Sequence, residues 1–495
     1  MRYAEMSLSE GNMMAPLQAS LGKKIGLMAG VATAVGIVVS SSAMVSLGEG
    51  IGVAGKGFIF AMVAALLLNV FVAFTFAELS GLIPRAGGLN RYTAPALGSV
   101  VSIVAVISGY ALVILFGGSA EAAIAGIVVV DVFNLPVSPV IVSLVVVALL
   151  VFVNLQSVKV YGWVQIFLVC LMIASIVILG IIGLTGVGAG EPVELEQEFN
   201  PMGVGVLSLT ALAFWLFIGV EFVTPLAEEI KKPRVYIPLA MVLGLLVIFI
   251  ADIIFGFGTL NYLLPEQLAG SGDPHILAAE ALAGPVGRLW MGIVTILATA
   301  STLNTMVTAV SRMLAAMAEE GEMPKIFAKR NKKGSPWVAV ISMGILFVLL
   351  LVIGFADGES IIIFILASAF CWMLAYIVAH LNVIALRVRY PHAKRSFKSP
   401  LGITFQVLGI AGLVWVMANI SADPEEAALI YKTVGIMLAL ALVYAVLWTK
   451  YAMKKRVFET TPLEEILKSD NQKSAESKDE FTPEHESQQK SGILE

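Results

Sequence analysis

Apolar runs long enough to cross a bilayer recur along nearly the whole chain, and they decide the fold class before any motif is read. A hydrocarbon core takes about 20 helical residues per crossing. Runs of this kind lie near 25–47, 58–82, 98–130, 138–154, 160–186, 204–227, 237–259, 286–316, 337–354, 360–386, 402–419 and 428–449. Backbone inside lipid must satisfy its own hydrogen bonds, so each run reads as a helix. Charged residues make up only 13% of the 495 residues and apolar ones 58%, against roughly 25% charged in an average soluble domain. Most of the surface therefore faces lipid, and the expectation is an all-α membrane protein with twelve transmembrane helices. The first run is longer than a signal-peptide core and is followed at once by a second, which argues against a cleaved leader.

Positive residues near span ends are retained on the cytoplasmic side. With the amino terminus inside, the connectors after even-numbered spans should carry them. Those connectors hold Arg85 and Arg91, Lys159, Lys231, Lys232 and Arg234, the Lys325–Lys333 group, and Arg387, Arg389, Lys394, Arg395 and Lys398. The opposite connectors offer Lys56, Arg288 and Lys432, and "GEPVELEQEFNP" adds four glutamates and no positive residue. Both termini are expected in the cytoplasm of a plasma-membrane protein. Residues 1–24 read as a cytoplasmic segment. Residues 450–495, mixed in charge and poor in apolar residues, read as a disordered cytoplasmic tail.

The function classes narrow by elimination. Cys170 and Cys371 both fall within spans and read as two buried thiols, and no metal-ligand spacing occurs. An intramembrane enzyme needs a nucleophile beside a base or a metal with several ligands, and neither cysteine has a neighbouring histidine in sequence. No cofactor and no nucleic-acid partner are expected.

Two spans carry signs of a broken helix. The first contains "GIVVSSSAMVSLGEG", with Ser40, Ser41 and Ser42 in a row. The sixth contains "FWLFIGVEF", with Gly219 two residues before a lone Glu221. A helix is interrupted in lipid only where the freed amides and carbonyls line a cavity. The two breaks lie five spans apart, the offset expected when two five-helix repeats of inverted topology each donate a discontinuous first helix to one midplane site. Serines also occur in membrane helices for packing alone; an intramembrane carboxyl such as Glu221 is costlier and points more firmly to function.

Four segments then carry a resemblance. "FAELSGLIPRAGGLNRYTAPALG", "NLQSVKVYGWVQ", "FWLFIGVEFVTPLAEEIKKPRVYIP" and "STLNTMVTAVSRMLAAMAEEGEMPKIFAK" follow one another in the order, and on the side, seen in the amino acid–polyamine–organocation superfamily of secondary transporters. The resemblance implies a leucine-transporter-type core of ten helices in a five-plus-five inverted repeat, spanning 25–387. A loop and two accessory helices then occupy 388–449. The implied cargo is an amino acid or an amine derived from one, moved by alternating access and driven by an ion or by exchange.

The resemblance also implies site residues. Freed amides from Val39 through Ser40, Ser41, Ser42 and Ala43 to Met44 would hold a substrate carboxylate at a positive helix end. Trp215 and Phe217 would supply an aromatic lid and wall. Carbonyls from Phe214 to Ile218, next to Gly219, would accept from an ammonium group, and Glu221 would close the site or carry a proton. Two positions depart from the pattern. Three serines replace a small Gly-rich turn, and Met172 stands where many proton-coupled members have lysine. Coupling is left to protonation of Glu221, Glu121 or Asp252, or to a sodium ion held by carbonyls near Val39 and the hydroxyls of Ser301 and Thr302. A Glu121 that reached the cavity would give a cationic substrate a counter-charge. Arg312, Glu228 and Glu229 could form an ion-pair gate at the cytoplasmic face.

Overall fold

The structure, a computed structural model, describes residues 26–83, 89–156, 162–193, 198–226, 230–353 and 358–467, and every regular element among them is helical. Eight segments are long and apolar enough to cross a membrane: Ser41–Leu82, Ser99–Val132, Phe167–Thr185, Gly203–Thr224, Pro233–Thr259, Pro274–Glu319, Ser360–Arg389 and Pro424–Ala452. Shorter apolar helices cover Leu27–Gly36, Pro139–Leu155, Trp337–Ile353 and Thr404–Ala418. The chain is a multi-pass, all-α membrane protein.

The first span is two helices, α1 (Leu27–Val38) and α2 (Ser41–Ala54), separated by extended backbone at Val39 and Ser40. The serine run explains the break. Ser40 takes the N-cap position, and its hydroxyl accepts the Ala43 N–H at 3.3 Å, which starts a new helix instead of continuing the old one. After α3 (Phe58–Leu82) comes α4 (Leu89–Leu97). The third apolar run forms α5 (Ser99–Val106), a π-helical turn at Ile107–Leu112, and α6 (Val113–Val132). Helices α7 (Pro139–Leu155) and α8 (Gly162–Thr185) follow.

The sixth run is also interrupted. Helix α9 (Thr210–Trp215) stops after six residues, the chain turns through Gly219 at φ 110°, and a 3-10 turn carries Val220–Leu226. That φ lies in the region where a side chain clashes and glycine does not. Helices α10 (Pro233–Thr259) and α11 (Pro265–Leu268) lead into α12 (Pro274–Glu319). The run expected at 286–316 reaches back to Pro274 across a kink at Gly284. Helices α13 (Trp337–Ile353), α14 (Gly358–Arg389), α15 (Thr404–Ala418) and α16 (Pro424–Leu447) complete the order.

Helices α2, α6, α9, α12 and α14 surround the interruptions, while α10 packs along α1 and α8. The α8–α10 contact is close. A methyl on Gly180 would lie 2.5 Å from the Ile254 carbonyl oxygen, so the missing side chain lets the two backbones touch. At the Arg-rich end of α14, Glu78 from the end of α3 accepts Arg387 Nε at 2.8 Å and Nη2 at 2.6 Å, with Arg395 at 3.5 Å and the Ser399 amide at 2.8 Å.

Two placements differ from the sequence reading. Cys371 is buried but Cys170 is exposed, because position 170 falls on the outer face of α8 while Val169 beside it turns inward. Residues 450–467, given to a disordered tail on the sequence, run back across α4: the Thr461 amide bonds the Ala94 carbonyl at 3.2 Å, the Leu463 amide bonds Tyr390 Oη at 3.2 Å, and Leu463 is buried. Apolar anchors at Val457 and Leu463 give this segment a hold that its overall composition hides. Arg312 is exposed. Glu228 and Glu229, like Arg85, Lys159, the segment 1–24 and the tail after 467, lie outside the described residues.

Candidate functional site where the two interrupted helices meet

The breaks in the first and sixth spans touch. Trp215, last residue of α9, donates its indole N–H to Ser42 Oγ at 2.9 Å, and Ser46 Oγ donates to the Leu212 carbonyl at 2.7 Å. Ser41 and Ser42 point at Glu121 of α6. Its Oε1 accepts the Ser42 amide at 3.0 Å and the Ser42 hydroxyl at 2.5 Å, and its Oε2 accepts the Ser41 hydroxyl. Thr299 of α12 reaches Ser41 Oγ at 2.7 Å, and Ser40 Oγ reaches Ser42 Oγ at 3.1 Å. Each serine hydroxyl has one proton. Ser41 and Ser42 spend theirs on Glu121, so Thr299 and Ser40 are the donors in those two contacts. All five groups are buried.

An aromatic layer covers the other side of Trp215. The Trp215 and Trp372 rings meet edge to face at 6.2 Å, Phe222 meets Trp372 at 6.1 Å, and Tyr110 meets Phe222 at 6.3 Å. Behind this layer Glu221 is held by two donors from α14: Trp372 Nε1 at 3.2 Å and Tyr376 Oη at 2.8 Å. Tyr376 Oη in turn accepts the Gly219 amide at 3.3 Å, so the unwound turn and the carboxyl share one hydroxyl.

Two spaces lie along the same helices. One is bordered by Leu212, Leu366 and Glu49, and its charged lining residues are Glu49, Asp423 and Glu426, all acidic. The other lies between Tyr110, Phe222, Trp372 and Met306 and is apolar. The π turn places Tyr110 there, in keeping with the frequent use of such turns at functional sites.

Of the residues singled out on the sequence, Val39 to Met44, Phe214, Trp215, Ile218, Gly219, Glu221 and Glu121 all lie at or beside the meeting of the breaks, buried. Phe217 is buried with its ring 6.3 Å from that of Phe249 of α10. Asp252 is buried, and its Oδ2 has no hydrogen-bond partner. Along α10, Gly244 faces Ala34 and Val35 of α1, and Gly256 faces Leu47 and Ile51 of α2. Asp252 lies between these glycines, on the stretch of α10 that passes the first interruption. Ser301 Oγ is buried without a partner, Thr302 is buried, and it is Thr299, one turn earlier, that contacts the first break. Met172 is buried in α8. Trp372, Tyr376, Tyr110 and Thr299 escaped the sequence reading. The Trp372–Tyr376 pair at i, i+4 was the available signal, since that spacing puts two polar-tipped aromatics on one helix face.

The sequence is similar to those of known amino acid permeases. The sequence profile of the family described as amino acid permease matches residues 12–448. The chain is 26% identical over 450 residues to the serine/threonine exchanger SteT of Bacillus subtilis, covering 88% of this chain and 98% of that protein. It is 26% identical to the branched-chain amino acid permease BcaP of the same organism, over 80% of this chain and 89% of the relative. It is 25% identical to the gamma-aminobutyric acid permease of B. subtilis, over 82% and 90%. With a family match across nearly its whole length and two broken helices converging on one buried site, the chain belongs to the amino acid permease family and is a permease of the amino acid–polyamine–organocation superfamily.

Proposed function

We propose that this protein is a proton-driven secondary transporter that carries an amino acid, or an amine derived from one, across the plasma membrane by alternating access. In this reading twelve helices cross the bilayer with both termini in the cytoplasm, and the first ten form a five-plus-five inverted repeat. The observation that carries it is the Trp215–Ser42 hydrogen bond, which joins two helix breaks five spans apart at a buried carboxyl cluster. Broken helices at membrane depth are used where polar cargo binds. Trp215 and Trp372 meet edge to face beside the breaks, and Trp372 lines the apolar space, which suits an aromatic gate. The case for protons rests on Glu121, Glu221 and Asp252, three buried carboxyls that a membrane protein keeps at a cost. Asp252 is the least compensated of them.

A sodium-driven version has one observation of its own, the hydroxyl of Thr299 set against the first break. Exchange is the activity named for the SteT relative. Uptake into proteoliposomes separates the three. Accumulation in sodium-free buffer that collapses with a protonophore supports the proposal. Strict sodium dependence replaces it with symport by sodium, and one-for-one counterflow indifferent to both ions replaces it with exchange. Failure to move any amino acid or amine would remove the transport reading.

A further inference from the structure

The positive end of α2 is the one place in this site where a substrate carboxylate would ordinarily be held, because a helix N-terminus presents free amides and a favourable dipole. In this chain a side chain is already there. Glu121 takes the amide and hydroxyl of Ser42 and the hydroxyl of Ser41. Neighbouring groups are engaged as well. Ser40 Oγ caps the Ala43 amide, the Met44 amide bonds the Ser40 carbonyl at 3.4 Å, and Trp215 spends its N–H on Ser42.

We infer that Glu121 stands in the place of a substrate α-carboxylate, so that the cargo is an amine that lacks one. This rests on the transport reading and narrows its substrate class. A second carboxylate would meet a like group beside it in a desolvated site, with the Ser42 amide and the Ser41 and Ser42 hydroxyls already committed. A bare alkyl ammonium meets the opposite surroundings. Buried carboxyls lie on both sides of the Trp215–Trp372 pair, Glu121 against Ser42 and Glu221 against Trp372, and ring faces attract cations. The charge nearby agrees: the space bordered by Leu212 and Leu366 carries Glu49, Asp423 and Glu426 and no basic lining residue, a field that gathers cations. Glu121 is thus a specificity-determining residue, and a carboxyl on α6 excludes the carboxyl of an amino acid.

The test compares each amino acid with the amine left when its carboxylate is removed: lysine with 1,5-diaminopentane, arginine with agmatine, leucine with 3-methylbutylamine. Binding to purified full-length protein is read by calorimetry, and transport by competition for uptake in proteoliposomes. The wild-type protein is expected to favour the amine of at least one pair by about ten-fold or more. Glu121→Ala, which empties the cradle, is expected to strengthen binding of the parent amino acid and to narrow or reverse that ratio. Glu121→Gln keeps the volume and one acceptor, so it covers the case in which the alanine variant does not fold. It should lose affinity for the amine without a matching loss for the amino acid. Preference of the wild-type protein for the amino acid in every pair that binds overturns this inference and leaves the transport reading intact, as does a ratio that neither substitution moves. If no member of any pair binds or competes, the transport reading falls and takes this one with it.

Discussion

The indole of Trp215 and the hydroxyl of Ser42 are 2.9 Å apart, and through that single contact the break in one span is fastened to the break in another 173 positions away. Ser42 passes the link on to Glu121 and Trp215 passes it on to Trp372. A change at either residue therefore acts on both broken helices.

Replacing Trp215 by Ala should weaken substrate binding by about 1–2 kcal/mol, roughly ten-fold, by removing the largest ring beside the break. Trp215→Phe keeps the ring but drops the N–H to Ser42, so it should lose only part of that affinity. Equal dissociation constants for the wild-type and alanine proteins would show that the cargo does not use this face.

Glu221 sits behind the aromatic layer with Tyr376 and Trp372 as its donors. Glu221→Gln should leave the protein folded, since an amide fits the same space and one oxygen still accepts. The pH dependence of uptake should flatten, or the substrate concentration needed should rise. A folded variant with an unchanged pH profile and unchanged affinity would mean that Glu221 is a structural group.

For Asp252, an oxygen buried without a partner costs stability that an amide need not pay, so Asp252→Asn should match or exceed the wild-type melting temperature. In the proton-driven reading, the same variant should keep exchange while losing accumulation driven by a pH gradient. Full accumulation by the folded variant would clear Asp252 of any part in coupling.

Arg387 and Glu78 form a bidentate pair in which both side chains are buried. Removing Arg387 takes away the bidentate partner and leaves Glu78 with Arg395 at 3.5 Å and Ser399, so Arg387→Ala should cost less than the roughly 3–5 kcal/mol of a fully abandoned buried charge. Coupling it with Glu78→Gln should restore a good part. The readout is a double-mutant cycle on thermal unfolding, and additive losses would show that the two groups do not interact.

Glu322, in the connector after α12, is held at about 7, first by burial and then by the neighbouring Glu320. Its native value lies above the ordinary 4.5, so the folded protein binds this proton more tightly than the unfolded one does. The contribution to stability is complete below about 4.5, and it is lost as pH rises through about 7, by up to roughly 3 kcal/mol. Glu322→Gln should flatten the melting temperature over that window and raise it at pH 8. A variant that melts with the wild-type slope would exclude this group as the source.

The sequence by itself determined that this chain lives in a membrane and is helical, because lipid leaves an apolar run no other way to satisfy its backbone. It also located both interruptions, since Ser40–Ser42 can cap a new helix and Gly219 can take a φ of 110°. Those are local properties, written in neighbouring residues. Which side chains face the breaks was settled by tertiary packing. Glu121 could be recognised as a costly carboxyl, but its seat at the serines depends on how α6 lies against α2. Trp372 and Tyr376 reach Glu221 from a helix 151 and 155 positions away, and Thr299 rather than Ser301 or Thr302 reaches Ser41 because of the rotation of α12. Phe217 shows the same dependence: its ring meets Phe249 of α10, a neighbour that the turn's own sequence does not name. Periodicity records which residues share a face of one helix. The neighbour that face meets is fixed only when all the helices pack together, and there the chain's own carboxyl came to rest where a ligand's would be expected.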